Sequence, residues 1–268
     1  MAVRERFPRC TGVATLVARE QLTPRMIRVT LRCDGFCDGA WPIEQPGEIV
    51  TLYFAPPGDD TIVLPSQNGW RFPDDGSARP ELWRNYTVRR HHPERNEIEV
   101  DVVLHEPKGH ACTWAAEAEI GAGVGYAGPR LDFVPREDAE WLLLCGDETA
   151  LPAIAAILET TYVEHVLAVL EVADPAEERA LDVNGASKRA DIRFVHRDGA
   201  APATTTHLAD ALREIELPGG LGQAWGAAES KIARDVRTVL RDERGMPKTH
   251  AGARGYWLRS GDWLLDDD

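Results

Sequence analysis

Trp141-Leu142-Leu143-Leu144-Cys145-Gly146-Asp147-Glu148-Thr149-Ala150-Leu151-Pro152-Ala153-Ile154 is the stretch on which the fold turns. Its first five residues are apolar without alternation, the pattern of a strand covered on both faces in a parallel sheet. A helix follows, with Pro152 in the first turn, where its missing N–H is harmless. Ligands of open α/β sheets bind where a strand ends and a helix begins. Gly146 stands alone, so this turn is not the GxGxxG dinucleotide fingerprint, and a capped structural helix accounts for it as well as a binding turn does.

Downstream the same alternation continues. Strands are predicted over residues 165–172, 192–196, 222–227 and 255–258, with helices over 150–161, 206–215 and 229–244. Upstream, residues 12–133 form short β-type runs such as Met26-Ile27-Arg28-Val29-Thr30-Leu31 and Glu48-Ile49-Val50-Thr51-Leu52-Tyr53-Phe54, punctuated by Pro and Gly. That half reads as an antiparallel barrel, interrupted by a long loop over residues 55–80. Further strand-like runs span 85–90 and 98–105. The expected division is 1–135 and 136–268.

The chain has 268 residues, 43% of them hydrophobic, so one or two cores can be buried. Its net charge of −14, from 44 acidic and 30 basic residues, argues against nucleic acid and anionic membrane as partners. No apolar run approaches the roughly 20 residues of a membrane span, and residues 1–6 lack a signal-peptide core, so a cytoplasmic location is expected. Five cysteines, an odd number in a chain too long to need staples, suit a reducing compartment. Cys33 and Cys37 have no second pair with which to make a zinc site.

In Arg84-Asn85-Tyr86-Thr87-Val88-Arg89, strand alternation puts Arg84, Tyr86 and Val88 on one side and Asn85, Thr87 and Arg89 on the other. A flavin needs an aromatic plate, a hydroxyl or amide near its reactive nitrogen, and guanidinium groups for its pyrophosphate. This run holds all three, although an ordinary half-buried strand fits it too. Next, Leu104-His105-Glu106-Pro107-Lys108-Gly109-His110-Ala111-Cys112-Thr113-Trp114-Ala115 reads as a strand end, a turn and a short helix through Glu119. The free N–H groups at that helix start would suit a pyrophosphate. His105 and His110 lack a carboxylate or thiolate set, so no metal is expected. Ala224-Trp225-Gly226-Ala227-Ala228-Glu229-Ser230 is another strand end entering a helix, and Tyr256-Trp257-Leu258-Arg259-Ser260-Gly261 lies near the C-terminus. No Gly-x-Ser-x-Gly elbow is present, which leaves hydrolase chemistry without support.

In order, Arg84 to Arg89, His105 to Trp114, Gly128-Pro129-Arg130, Gly146 to Pro152, Trp225 to Glu229 and Tyr256-Trp257 resemble the siderophore-interacting protein family, from about Phe7 to Gly261. These are flavin-dependent ferric-siderophore reductases of the ferredoxin-reductase-like superfamily. The resemblance implies a β-barrel plus α/β fold: an N-terminal six-stranded antiparallel FAD-binding barrel, then a C-terminal parallel-sheet NAD(P)H-binding domain.

It also implies roles. Tyr86 would pack on the isoalloxazine with Thr87 near N5, and together with Thr149 they form the expected reaction centre. Arg84 and Arg89 would hold the ribityl or pyrophosphate groups, with Val88 and Val103 also among the cofactor-binding residues. His105, Gly109, Ala111, Cys112, Thr113 and Trp114 would enclose the pyrophosphate and adenosine. Asp147, Glu148, Thr149 and Ala150 would border flavin and nicotinamide, and Trp225, Gly226 and Glu229 would line the nicotinamide-nucleotide site.

Three departures stand out. His110-Ala111-Cys112 replaces a usual Pro-Ala-Ser, and Leu131-Asp132 follows Gly128-Pro129-Arg130 where a Gly is commoner. Thr51 stands where many members carry a Lys for the anionic ferric chelate, leaving Arg130, Lys248 and Arg259 as substitutes. The expected function is NAD(P)H-driven, FAD-dependent reduction of a ferric siderophore, releasing Fe(II). Alternatives are electron delivery to quinone, free flavin or a partner protein, and a non-catalytic flavin or siderophore binder. Asp174, Glu177 and Glu178 argue against a 2′-phosphate and Arg197 argues for one, while family likeness leans to NADPH.

Overall fold

The computed structural model describes residues 10–33, 45–65, 80–185 and 189–260. The chain divides between Asp132 and Phe133 into two compact units. In the first, the antiparallel strands are β1 (Cys10–Thr23), β2 (Met26–Arg32), β3 (Glu48–Tyr53), β4 (Trp83–Thr87), β5 (Arg90–His92), β6 (Glu97–Val103) and β7 (Gly123–Leu131). Their order is β4-β3-β7-β1-β2-β6-β5. One helix, α1 (His110–Glu117), follows β6.

Seven strands are present where six were expected, because the run 85–90 is not one strand. After β4 the Val88 N–H donates to Glu48 O at 2.8 Å and the Arg89 N–H to Glu99 O at 2.8 Å. The chain thus bonds first to β3 and then to β6, which closes the sheet on itself, before three-residue β5 pairs with β6. Alternation then sorts the side chains. Leu16, Val29, Leu31, Val50, Ile98, Val100 and Val124 are fully buried in the core. On the other face of the β2–β6 pair, Arg28 sits opposite Asp101, with Nε 2.6 Å from Oδ1.

The second unit holds β8 (Trp141–Gly146), α2 (Leu151–Thr160), β9 (His165–Val172), β10 (Arg189–His196), α3 (His207–Glu214), β11 (Gly222–Glu229), α4 (Ser230–Thr238) and β12 (Ala251–Trp257). All five strands are parallel, in the order β10-β9-β8-β11-β12, so the strand order reverses beside β8. β8 is buried along its whole length, as its unbroken apolar run requires. The single helix expected over 229–244 is α4 followed by a π-helical turn, Val239–Glu243.

No helix among the described residues is long and apolar enough to cross a membrane. The cysteine count favoured thiols without a cross-link. Cys33, Cys112 and Cys145 are buried thiols outside any disulfide, but Cys10 is disulfide-bonded, so that expectation fails at Cys10. Much of the loop expected over 55–80 lies outside the described residues.

Candidate functional site

In the first unit, α1 begins at Gly109, whose backbone is extended and whose helix start has no side-chain cap. Thr113 N–H makes the first intrahelical bond, to Gly109 O at 3.0 Å. The N–H groups of His110, Ala111 and Cys112 precede it and have no backbone acceptor among the described residues. A Cβ on Gly109 would meet nothing nearer than His105 at 3.9 Å, so this entrance is open.

Four predicted residues gather around it. Arg84, Tyr86 and Cys112 lie within electrostatic reach of one another, and Cys112 is hydrogen-bonded to His105. Burial pulls the Arg84 pKa down, opposed by Tyr86, Cys112 and Glu81. Burial also pushes the Tyr86 phenol well above its ordinary value, so it stays neutral. The Cys112 thiol would be raised by burial, but His105 brings it below the usual thiol range, and Cys112 in turn raises His105 through their hydrogen bond. Cys112 Sγ also donates to Val103 O at 3.3 Å. His105 is engaged by Cys112 and by the Pro107 backbone, so the candidate ligand donors are the Arg84 guanidinium and the three amides beside the Tyr86 ring, a set that fits a pyrophosphate attached to a flat heterocycle.

Other predicted residues have structural tasks. Val88 and Ala111 belong to the buried core, and Trp114 packs against it with its ring 5.6 Å from that of Phe54. Ala111 could reach a ligand only through its N–H. Thr113 is exposed, and Arg89 and Thr87 are buried at the end of the β4 segment. Thr51 is fully buried, and its hydroxyl donates to Asn85 Oδ1 at 2.7 Å. Arg130 lies at the end of β7 opposite Ile49.

In the second unit, Asp147 is the centre of the turn after β8. Its Oδ1 accepts from the N–H of Thr149 at 2.9 Å and from the Thr149 hydroxyl. Its Oδ2 accepts from Glu229 N at 3.0 Å and Trp257 Nε1 at 2.8 Å. Burial pushes the carboxyl up to about 6, against the hydrogen bonds from Thr149 and Trp257. Thr149, expected at the reaction centre, has both N–H and hydroxyl engaged in that turn, and the next residue, Ala150, is the buried N-cap of α2. Glu148 forms a buried ion pair with Arg197.

Glu229 is the N-cap of α4. One oxygen accepts from Lys231 N at 2.6 Å and Ile232 N at 3.3 Å, and the other from Arg259 N at 3.3 Å. Its carboxylate is thus occupied by backbone rather than open to a nucleotide. Gly226 is small because a Cβ there would stand 2.6 Å from Cys145 O. Gly146 is more constrained, since a Cβ would stand 2.1 Å from Ala227 O. Trp225 is buried with its ring 6.3 Å from that of Tyr256, and its indole N–H has no partner among the described residues.

Lys248 precedes β12 and lines a basic cleft of about 460 Å³ with Arg234, Arg237 and Arg241. Arg259 follows the far end of β12, a strand of seven residues, or roughly 23 Å. These two candidate substrate ligands are therefore not brought together. Trp257 was noted in sequence only as part of a C-terminal motif, and its contact with Asp147 was not foreseen, because only the β11–β12 register, with Glu229 opposite Trp257, carries its indole there.

Two family models match in succession. Residues 15–133 fit the siderophore-interacting FAD-binding domain, and residues 139–260 fit the siderophore-interacting protein model. The crystal structure of a siderophore utilization protein from T. fusca is 34% identical, with a TM-score of 0.84 and coverage of 98% of both chains. The ferric vibriobactin reductase ViuB of Vibrio cholerae is 28% identical over 250 residues, 91% of this chain and 88% of that one. Phthalate dioxygenase reductase, at 14% identity and a TM-score of 0.61 over 91% of this chain and 68% of that one, shares the ferredoxin-reductase-like fold.

Proposed function

The chain belongs to the siderophore-interacting protein family, and from that premise we propose that it is an FAD-dependent reductase driven by NAD(P)H that releases iron from a ferric siderophore as Fe(II). FAD would supply the conversion the reaction needs, accepting the two electrons of one hydride and returning them singly, because ferric iron cannot accept hydride. Reduction weakens the hold of hard oxygen ligands on the metal, so the siderophore needs no hydrolysis. A cytoplasmic setting is part of the proposal.

The observation that carries this reading is the grouping of Arg84, Tyr86, His105 and Cys112 at the uncapped start of α1. Arg84 and the three free amides would hold the pyrophosphate, and Tyr86, neutral at any working pH, would supply the plate for the ring. Cys112 in place of a serine does not weaken this arrangement, since the amides do the binding and the thiol is already bonded to Val103 O. Thr87 stays the candidate for a hydroxyl near the reactive nitrogen, and Asp147 with Thr149 would shape the nicotinamide end without donating protons of their own.

The test is spectroscopic. Purified protein supplied with FAD should show bound-flavin bands, lose them with NADH or NADPH without oxygen, and regain them on addition of a ferric siderophore. A protein that takes up no FAD would sink the proposal. A second reading, electron delivery to another acceptor such as quinone, free flavin or a partner protein, is favoured by Thr51. Its side chain is buried and bonded to Asn85, so β3 offers no cation for an anionic chelate at this position. Flavin reoxidised by quinone but not by ferric chelates would select it.

A further inference from the structure

We infer that the nucleotide site selects NADH over NADPH, an inference that rests on the reductase reading and names its electron donor. In a sheet of order β10-β9-β8-β11-β12 the dinucleotide lies across the carboxyl ends of the strands, and its adenosine ribose reaches the end of the second strand of the first βαβ unit. Here that unit is β8-α2-β9, so the ribose meets the segment after Val172. Asp174 stands there, half-buried. Its Oδ1 accepts from Ala176 N at 2.8 Å, which orients the carboxylate and leaves Oδ2 to accept from a ribose hydroxyl.

A 2′-phosphate would need a cation at the same place, and the cations near it are already matched. Arg197, directly after β10, has a side chain only 2% exposed. Its Nη1 donates to Glu148 Oε2 at 2.8 Å, its Nη2 to the other oxygen of Glu148, and its Nη1 is 3.6 Å from Glu171 Oε1. Two carboxylates on one guanidinium leave a net negative charge. Burial opposes the Arg197 charge, but the hydrogen bond and charge of Glu148, with the charges of Glu171 and Asp147, raise its pKa overall, so the guanidinium stays charged. Glu171 is further tied to the Thr205 hydroxyl at 2.8 Å. His196 Nε2 lies 2.7 Å from Glu178 Oε1, and Arg179 has partners of its own. A phosphate would have to displace a bidentate carboxylate from Arg197 and leave Glu148 buried without a counter-charge. It would also face Asp174 directly. A free 2′-hydroxyl meets neither penalty.

Calorimetric titration with ADP-ribose and with 2′-phospho-ADP-ribose tests this without flavin. ADP-ribose should bind roughly tenfold or more tightly than its 2′-phosphate. Equal or tighter binding of the phosphorylated form, or no binding of either, overturns the inference. Anaerobic bleaching of the FAD-loaded protein should be faster with NADH by a similar factor. If ADP-ribose is preferred yet neither nicotinamide bleaches the flavin, the reductase reading fails while the nucleotide preference stands. Asp174→Asn keeps an oxygen for the Ala176 N–H and removes the charge. It should lower the preference by roughly tenfold, through a higher KM for NADH and a lower KM for NADPH, with no change in melting temperature. An unchanged ratio in that variant overturns the role of Asp174.

Discussion

Tyr86 and Asp147 show how burial sets what a single residue can contribute. Tyr86 stays protonated and packs against the barrel core beside Arg84. Tyr86→Ala removes the plate proposed for the flavin ring and should weaken FAD binding by about 1 kcal/mol or more, read from the quenching of flavin fluorescence on titration. Asp147 carries a pH dependence of the opposite sign to most carboxylates. Its folded pKa, near 6, lies above the ordinary aspartate value, so its protonated form is favoured by folding. That contribution is complete below about pH 4, is lost as pH rises towards 6, and above 6 amounts to about 3 kcal/mol of lost stability. Urea unfolding at pH 4 and pH 7 should therefore show wild type losing stability relative to Asp147→Asn over this interval. A variant with the same pH slope as wild type would refute the assignment. Arg84-Asn85-Tyr86-Thr87-Val88-Arg89 made a flavin contact one of two open readings beside an ordinary half-buried strand, because aromatic and cationic chemistry is written in residue types. The burial of Asp147 was not legible, since its partners Glu229 and Trp257 are 82 and 110 residues away.

Elements explain the glycines and the buried ion pair. Gly146 stands alone at the end of β8, short of a dinucleotide fingerprint, and its constraint comes from Ala227 O in the adjacent strand. Gly146→Ala should lower stability by about 1–3 kcal/mol whether or not nucleotide is present. Gly109→Ala meets no atom within 3.9 Å and should leave the melting temperature close to wild type, so the pair of variants separates packing glycines from open ones in one thermal-melting series. Arg197 joins the end of β10 to the turn after β8 and to Glu171 in β9. Arg197→Ala should cost about 3–5 kcal/mol in chemical unfolding, because two buried carboxylates lose their counter-charge. Arg197 was read as a candidate for the 2′-phosphate because position after a strand is visible in sequence, whereas capture by Glu148 is a contact across strands.

At the scale of the whole molecule, the net charge of −14 acts beyond any one contact. If the acceptor is an anionic ferric chelate, its kcat/KM should rise as salt is increased from about 10 to about 200 mM, since screening shortens the reach of the repulsion. A neutral chelate should show little change. A falling kcat/KM would instead mean that a local cationic patch, such as the cleft around Arg237 and Arg241, governs encounter.

Hydrophobic period and turn chemistry are local, and they determined the antiparallel first half, the alternating second half and the places where strands pass into helices. The chemistry of Arg84, Tyr86 and the α1 start allowed a flavin, and the order of the motifs along the chain made it the expectation. Tertiary structure alone decided which strands adjoin, and with that the seventh strand, the split of residues 85–92 between β3 and β6, the separation of Lys248 from Arg259, and the engagement of Thr51, Glu229 and Arg197. Those outcomes depend on pairings between residues far apart in the chain, which are selected by burial and by the need to satisfy every buried charge and backbone group.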